Sequence, residues 1–280
     1  MGRQPALPAV EQPRPTASDT LCELRATGLA YRDPTTGGGI TDVDLLVCAG
    51  EFVVITGRVG AGKTTLLRAL QGLLPLQASV INWNGVQVDD PATFFVPPRS
   101  AYTPQVPRLI SSSLRDNLLL GLETDEATIA QALHLAVFER DLAAMPNGLA
   151  TLVGAKGVRL SGGQRLRAAA ARMLVCRPDL LIVDDLSSAL DVETERWLWE
   201  RLRQATNRRP PTVLAVSHRP VVRQRTDRII VLDDGQIVAC GRLTELLQTS
   251  PILRQIWHST THGTGNRGTK AQSAQAQSAK

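Results

Sequence analysis

At 280 residues the chain is long enough to bury one α/β core with an inserted helical lobe, without a separate second domain. Its longest uncharged apolar runs fall far short of the roughly 20 residues that cross a bilayer, and no apolar signal region opens it, so any membrane-spanning part is expected on another polypeptide. The net charge of +5 rests on dispersed Arg and Lys among few aromatics, which offers nucleic acid no stacking platform. Cys22, Cys48, Cys176 and Cys240 are scattered, with no Cys-x-x-Cys and no nearby His, and read as reduced packing residues of a cytoplasmic protein.

Met1 to about Asp19 is rich in Pro and polar residues and lacks apolar periodicity, so residues 1–19 are expected to be a disordered leader to a globular domain spanning 20–258. The run Phe52-Val53-Val54-Ile55 predicts a buried strand. It leads into Gly57-Arg58-Val59-Gly60-Ala61-Gly62-Lys63-Thr64, which satisfies Gly-x4-Gly-Lys-[Ser/Thr]. The glycines let backbone N–H groups wrap phosphate oxygens, Lys63 reaches the terminal phosphates, and Thr64 offers its hydroxyl to Mg²⁺. The competing reading is a chance match in a Gly-bearing turn. A helix expected from Thr64 to Leu70 completes a strand-loop-helix unit and argues for a nucleoside triphosphate.

About Val106 to Pro178 (106–178) is expected to form the helical lobe, with a helix from Asp125 to Arg140. At its end Leu160-Ser161-Gly162-Gly163-Gln164 precedes the strong helix former Arg165 to Leu174, with Ser161 as a natural N-cap. A hydroxyl, two glycines and an amide at a helix start make a second place able to receive phosphate. Leu180 to Val183 followed by Asp184 and Asp185 has the form of a buried parallel strand delivering acid to a sheet end. Asp184 and Thr64 would then share one Mg²⁺.

A helix is expected from Val192 to Ala205, its Trp197 and Trp199 serving as packing residues, and then the strand Val213 to Val216, which ends near His218. Ile229 to Leu232, Asp233-Asp234-Gly235 and Gln236 to Val238 predict a hairpin closing the sheet, with Asp-Gly as its turn. Residues 259–280 are expected to be a flexible tail.

Leu-Ser-Gly-Gly-Gln, in one chain with the phosphate loop and the Asp184 strand, resembles the signature motif of ATP-binding cassette (ABC) transporter domains. The resemblance runs from about Leu21 to about Trp257, with the motifs in the family's order. It implies a P-loop NTPase fold: an α/β domain with a mostly parallel core sheet, an antiparallel β subdomain and an inserted α-helical subdomain. It also implies ATP with Mg²⁺, and a second cassette, identical or not, facing head to tail. Each ATP would lie between the phosphate loop of one cassette, including Thr65, and Ser161, Gly162, Gly163 and Gln164 of the other.

Further positions match the family one by one. Tyr31 falls where an aromatic ring stacks on adenine, the alternative being an ordinary strand Tyr. Gln105, in Ala101-Tyr102-Thr103-Pro104-Gln105, matches the glutamine that touches Mg²⁺ and the attacking water. Ser188-Ala189-Leu190-Asp191 matches a loop crossing the dimer interface, although Asp191 would equally serve as a helix N-cap. His218 matches the switch histidine that contacts the γ-phosphate.

One departure bears on catalysis. The residue after the Asp184 position is usually Glu, which polarises the attacking water, and here it is Asp185, withdrawn by one C–C bond of ~1.5 Å. A misplacement of ~1 Å in such a constellation can cost ~100-fold, so hydrolysis is expected to be slow, or left to a partner cassette in an asymmetric pair. A soluble cassette ATPase is the third alternative. Against it, Leu109-Ile110-Ser111-Ser112-Ser113-Leu114-Arg115-Asp116-Asn117-Leu118 resembles the exporter pattern, and Thr151 to Gly157 resembles the exporter loop that touches the membrane domain. That loop has Ala155 where an acid is usual, beside Lys156. The implied setting is the cytoplasmic face of the membrane, against a separate transmembrane subunit.

Overall fold

The computed structural model describes residues 20–77, 79–154, 159–186, 190–204 and 210–262. The chain opens with strands β1 (Glu23–Arg32), β2 (Gly39–Cys48) and β3 (Phe52–Gly57). Helix α1 (Lys63–Leu70), strands β4 (Val80–Trp83) and β5 (Val86–Gln87), helix α2 (Pro91–Phe94) and strand β6 (Ser100–Thr103) follow. An inserted lobe contains β7 (Ser112–Ser113), α3 (Leu114–Leu119), α4 (Glu126–Leu135), α5 (Glu139–Ala143), β8 (Leu152–Val153) and α6 (Gly162–Val175). The chain then runs through β9 (Leu180–Asp184), α7 (Val192–Gln204), β10 (Thr212–Val216), α8 (Pro220–Arg223), β11 (Arg228–Asp233), β12 (Gln236–Gly241), α9 (Leu243–Thr249) and α10 (Pro251–His262).

The central sheet has the order β12-β11-β3-β10-β9-β6 and is parallel apart from β12. A second, antiparallel sheet has the order β2-β1-β4-β5. Alternation along the central strands divides the core. Val53 and Ile55 of β3, Ile182 of β9 and Leu214 of β10 face α1 and the antiparallel sheet. Phe52 and Val54, Leu181 and Val183, and Val213 and Ala215 face the helices of the lobe and α7. Burial on both faces explains why these strands read as unbroken apolar runs. Asp234 and Gly235 both have positive φ, 45° and 76°, as a two-residue hairpin turn requires.

The helix expected from Asp125 to Arg140 is two helices. Asp125 does cap the first, accepting from the Thr128 N–H at 2.7 Å. The break follows Ala136, where the Phe138 N–H donates to the Leu133 carbonyl and the Val137 N–H to the His134 carbonyl. This is a helix-terminating loop normally built on glycine, here with Val137 at φ 56°. The fully buried Phe138 side chain anchors the strained turn in the lobe's core. Helix α7 starts at Val192 as expected and is capped by Asp191; Ala205, where it was expected to end, lies outside the described residues. Helix α10 continues to His262, into the stretch expected to be a tail. Cys176 packs against the core, but Cys22, Cys48 and Cys240 are exposed, so the expectation of four packing residues fails for three.

Asn117 organises the lobe. Fully buried, it accepts from the Ile110 N–H at 2.8 Å and donates to the carbonyls of Ile110 and Ser113. The Arg172 guanidinium reaches both its side chain and its carbonyl. Asn117→Ala leaves several buried groups unpaired and should destabilise the protein by about 2–3 kcal/mol in urea unfolding; a loss below about 0.5 kcal/mol would contradict this account.

Candidate functional site

Parallel register brings the site together. Val216 is opposite both Ile55 and Asp184, so β3, β9 and β10 end side by side. The residues that follow these ends are the phosphate loop, Asp185 and Ser217-His218. Gly62 has φ 93°, and a Cβ there would lie 2.7 Å from the Gly39 carbonyl oxygen, so both the turn and its packing require glycine. Lys63 is buried and folds over the loop, donating to the carbonyls of Gly57 at 3.1 Å and Arg58 at 2.6 Å. Burial lowers its pKa, opposed by Asp184 and Asp185.

Thr64 donates its hydroxyl to Asp184 Oδ1 at 3.1 Å, joining residues 120 apart in sequence. Burial raises the Asp184 pKa, opposed by Thr64 and the charge of Arg68. A hydroxyl and a carboxylate in contact are hard oxygen donors of the kind Mg²⁺ takes, and they fit that ion. Gln105 Nε2 donates to Asp185 Oδ2 at 3.3 Å. Asp185 itself has φ 49° and donates its N–H to the Val216 carbonyl at 3.1 Å. Asp tolerates this left-handed backbone better than the longer carboxylate does, because its short side chain can bond locally.

Two cavities flank the loop. One of about 330 Å³ is lined by Tyr31, Gly60, Gly62, Lys63, Thr64 and Thr65, among others. The other, about 560 Å³, takes in Thr64, Gln105 and Asp184 together with Arg108 and Arg172. Arg68 lines both. Val59 at the loop's tip is 97% exposed, and Ala61 is buried beneath it. Ser161, Gly162, Gly163 and Gln164 line neither cavity. Instead Ser161 caps α6 in a reciprocal box with Gln164, whose amide also donates to Asp141 at 3.0 Å. Ala155, Lys156, Gly157, Ser188 and Ala189 lie outside the described residues.

Sequence reasoning missed four participants. Arg68 lies one helical turn after Thr64 and was detectable from that spacing. Tyr102 approaches Asp184 Oδ2 at 3.5 Å. Arg219 pairs with the buried Glu195 at 3.1 Å and donates to the Leu190 carbonyl, and Arg223 donates to the His218 carbonyl. The Tyr102 and Arg219 contacts join residues far apart in sequence, and the Arg223 contact, though only five residues long, belongs to no motif.

The ABC transporter family's sequence profile matches residues 40–188, from β2 to beyond the paired aspartates. The chain belongs to the ABC transporter family. Similar proteins include a probable multidrug resistance ABC transporter ATP-binding/permease protein of Bacillus subtilis (strain 168), 35% identical over 79% of this chain and 38% of that protein. An ATP-dependent lipid A-core flippase of Burkholderia orbicola (strain AU 1054) is 37% identical over 81% of this chain and 38% of its own length. The chain thus spans about two-fifths of either relative. A solved bacterial Atm1-family ABC exporter with ATP bound matches with a TM-score of 0.78 and 26% identity, over 92% of this chain and 44% of that one. The chain is an ABC ATP-binding domain of exporter type, and these relatives lend the soluble alternative no support.

His218 is half-buried at the β10 end of this ABC domain. Burial lowers its pKa first, Lys63 adds to the effect and Asp185 opposes it. The unfolded chain therefore takes up this proton first. The histidine's contribution to stability is full above about pH 6.5 and is lost as pH falls through the folded value. Proton NMR should show one imidazole resonance, absent in His218→Ala, titrating below about 6.5; titration above that value would contradict the burial argument.

Proposed function

We propose that this domain binds and hydrolyses Mg·ATP in a two-cassette sandwich and thereby powers export through membrane-spanning helices. The observation that carries the reading is the Thr64–Asp184 contact at the mouth of the phosphate loop, with Lys63, Gln105, Asp185 and His218 grouped around it. In this reading Tyr31 stacks on adenine, Gly57 to Thr65 wrap the phosphates, and Lys63 exchanges loop carbonyls for phosphate oxygens. Thr64 and Asp184, with Gln105, would hold Mg²⁺, which when bound neutralises phosphate charge. Asp185 accepts hydrogen bonding from the attacking water, and neutral His218 donates to the γ-phosphate.

Hydrolysis is proposed to be slow, because Asp185 is one methylene shorter than the usual Glu. Ser161, Gly162, Gly163 and Gln164 would meet the nucleotide of a facing cassette, identical or not; that they line neither of the two cavities beside the phosphate loop supports a role in trans. The domain is proposed to sit at the cytoplasmic face of the membrane, against membrane-spanning helices in a separate subunit or elsewhere in a longer chain. The fused names and partial coverage of the relatives support either arrangement. No helix among the described residues is long and apolar enough to cross a membrane.

Lys63→Ala removes a charge-assisted contact worth about 1.5–3 kcal/mol and should weaken ATP binding about 10- to 100-fold in fluorescent-nucleotide titration. In light scattering, Asp185→Asn with saturating Mg·ATP should double in mass. Unchanged affinity in the first experiment would count against the phosphate-loop assignment, and a persistent monomer in the second against a sandwich of two identical cassettes.

A further inference from the structure

Helix α10 touches the phosphate loop and the His218 segment at once. On one side Arg58 Nη2 donates to Gln255 Oε1 at 2.7 Å. On the other, Arg223 donates from Nη2 to the His218 carbonyl at 2.8 Å, and its guanidinium carbon sits 5.1 Å from the centre of the Trp257 ring. Gln255 and Trp257 are two residues apart, about 200° around the helix, so one turn of α10 reaches both neighbours. Leu253 holds that turn against Ile229 and Val231 of β11, the strand beside β3.

Arg223 is 0% exposed, and burying a guanidinium is unfavourable by several kcal/mol unless its partners are well placed. Burial brings its pKa down to about 10, which leaves it charged at neutral pH. A packing role alone would be met by an apolar side chain at far less expense of solvation. The Nη2 bond to the His218 carbonyl and the Trp257 face against the guanidinium instead fix the backbone that carries the imidazole.

We propose that Arg223 is a positioning residue for His218, seated by Trp257, and that α10 thereby sets the placement of the histidine and, through Gln255, of the phosphate loop. The proposal rests on the ATPase reading above. Helix α10 acts from behind both loops and touches no reacting atom.

The full chain is tested with Arg223→Met, Trp257→Ala and Trp257→Phe, alone and with His218→Ala. Arg223→Met and Trp257→Ala should lower kcat about 10- to 100-fold while ATP Kd stays within about threefold, and Trp257→Phe should retain most activity. In the His218→Ala background neither should lower kcat further, because both act through that side chain. Amide hydrogen exchange over residues 217–224 should quicken in Trp257→Ala, with the β3 and β10 amides unchanged. Full multiplicativity with His218→Ala, or unchanged exchange and turnover in Trp257→Ala, would overturn the proposal even if Arg223→Met fails to fold. If the wild type binds no ATP, the parent reading falls, while unchanged exchange over 217–224 would separately overturn the positioning role.

Discussion

Everything in the site depends on the parallel register of β3, β10 and β9. Three strands are buried on both faces, β9 and β10 end level with Ile55, two residues before the end of β3, and the chain leaves each by a loop that carries polar chemistry. The side chains contributed are Lys63 and Thr64 after β3, Asp184 and Asp185 at β9, and His218 after β10. No single segment contains the site. A one-residue slip of β9 would turn Asp184 to the opposite face and separate it from Thr64.

The same burial that aligns the strands sets the electrostatics. Lys63 and Asp184 both lie where water is scarce, so the charged form of each is disfavoured; Asp184 and Asp185 partly restore that of Lys63, and the Thr64 hydroxyl and the charge of Arg68 partly restore that of Asp184. Within the cluster Lys63 donates to backbone carbonyls rather than to a carboxylate, and Asp184 accepts from the Thr64 and Tyr102 hydroxyls. The cluster gains most from a ligand bringing negative phosphate and a divalent cation together. His218, kept neutral by burial and by Lys63, adds a donor without adding a charge.

What was legible in the sequence was the chemistry that depends on neighbours in the chain. The phosphate loop, the apolar strand ending in Asp184-Asp185, the Ser161 cap and the Asp234-Gly235 turn each follow from local rules, and the structure places each in the expected element. What was not legible came from partners far apart in sequence or from tertiary strain. Val137 ends α4 without glycine because burial of Phe138 outweighs its unfavourable backbone. Arg223, Trp257 and the Arg219–Glu195 pair carry no motif, since their meaning arises only when α7, α8 and α10 are packed. The roles proposed for Ser161 to Gln164 would need a second chain, and so would not emerge from one fold.

Asp185 is where the proposed catalysis and the backbone meet. Its left-handed conformation and its bond to the end of β10 favour the shorter carboxylate, and the Gln105 amide holds that carboxylate beside Asp184. The most direct test of the account is steady-state ATP hydrolysis by the wild type, Asp185→Asn and Asp185→Glu at equal Mg²⁺ and protein concentration. The account predicts measurable wild-type turnover that falls about 100-fold in Asp185→Asn. Wild-type protein as inert as Asp185→Asn, with activity appearing only in Asp185→Glu, would contradict it and leave this domain as the ATP-binding half of an asymmetric pair.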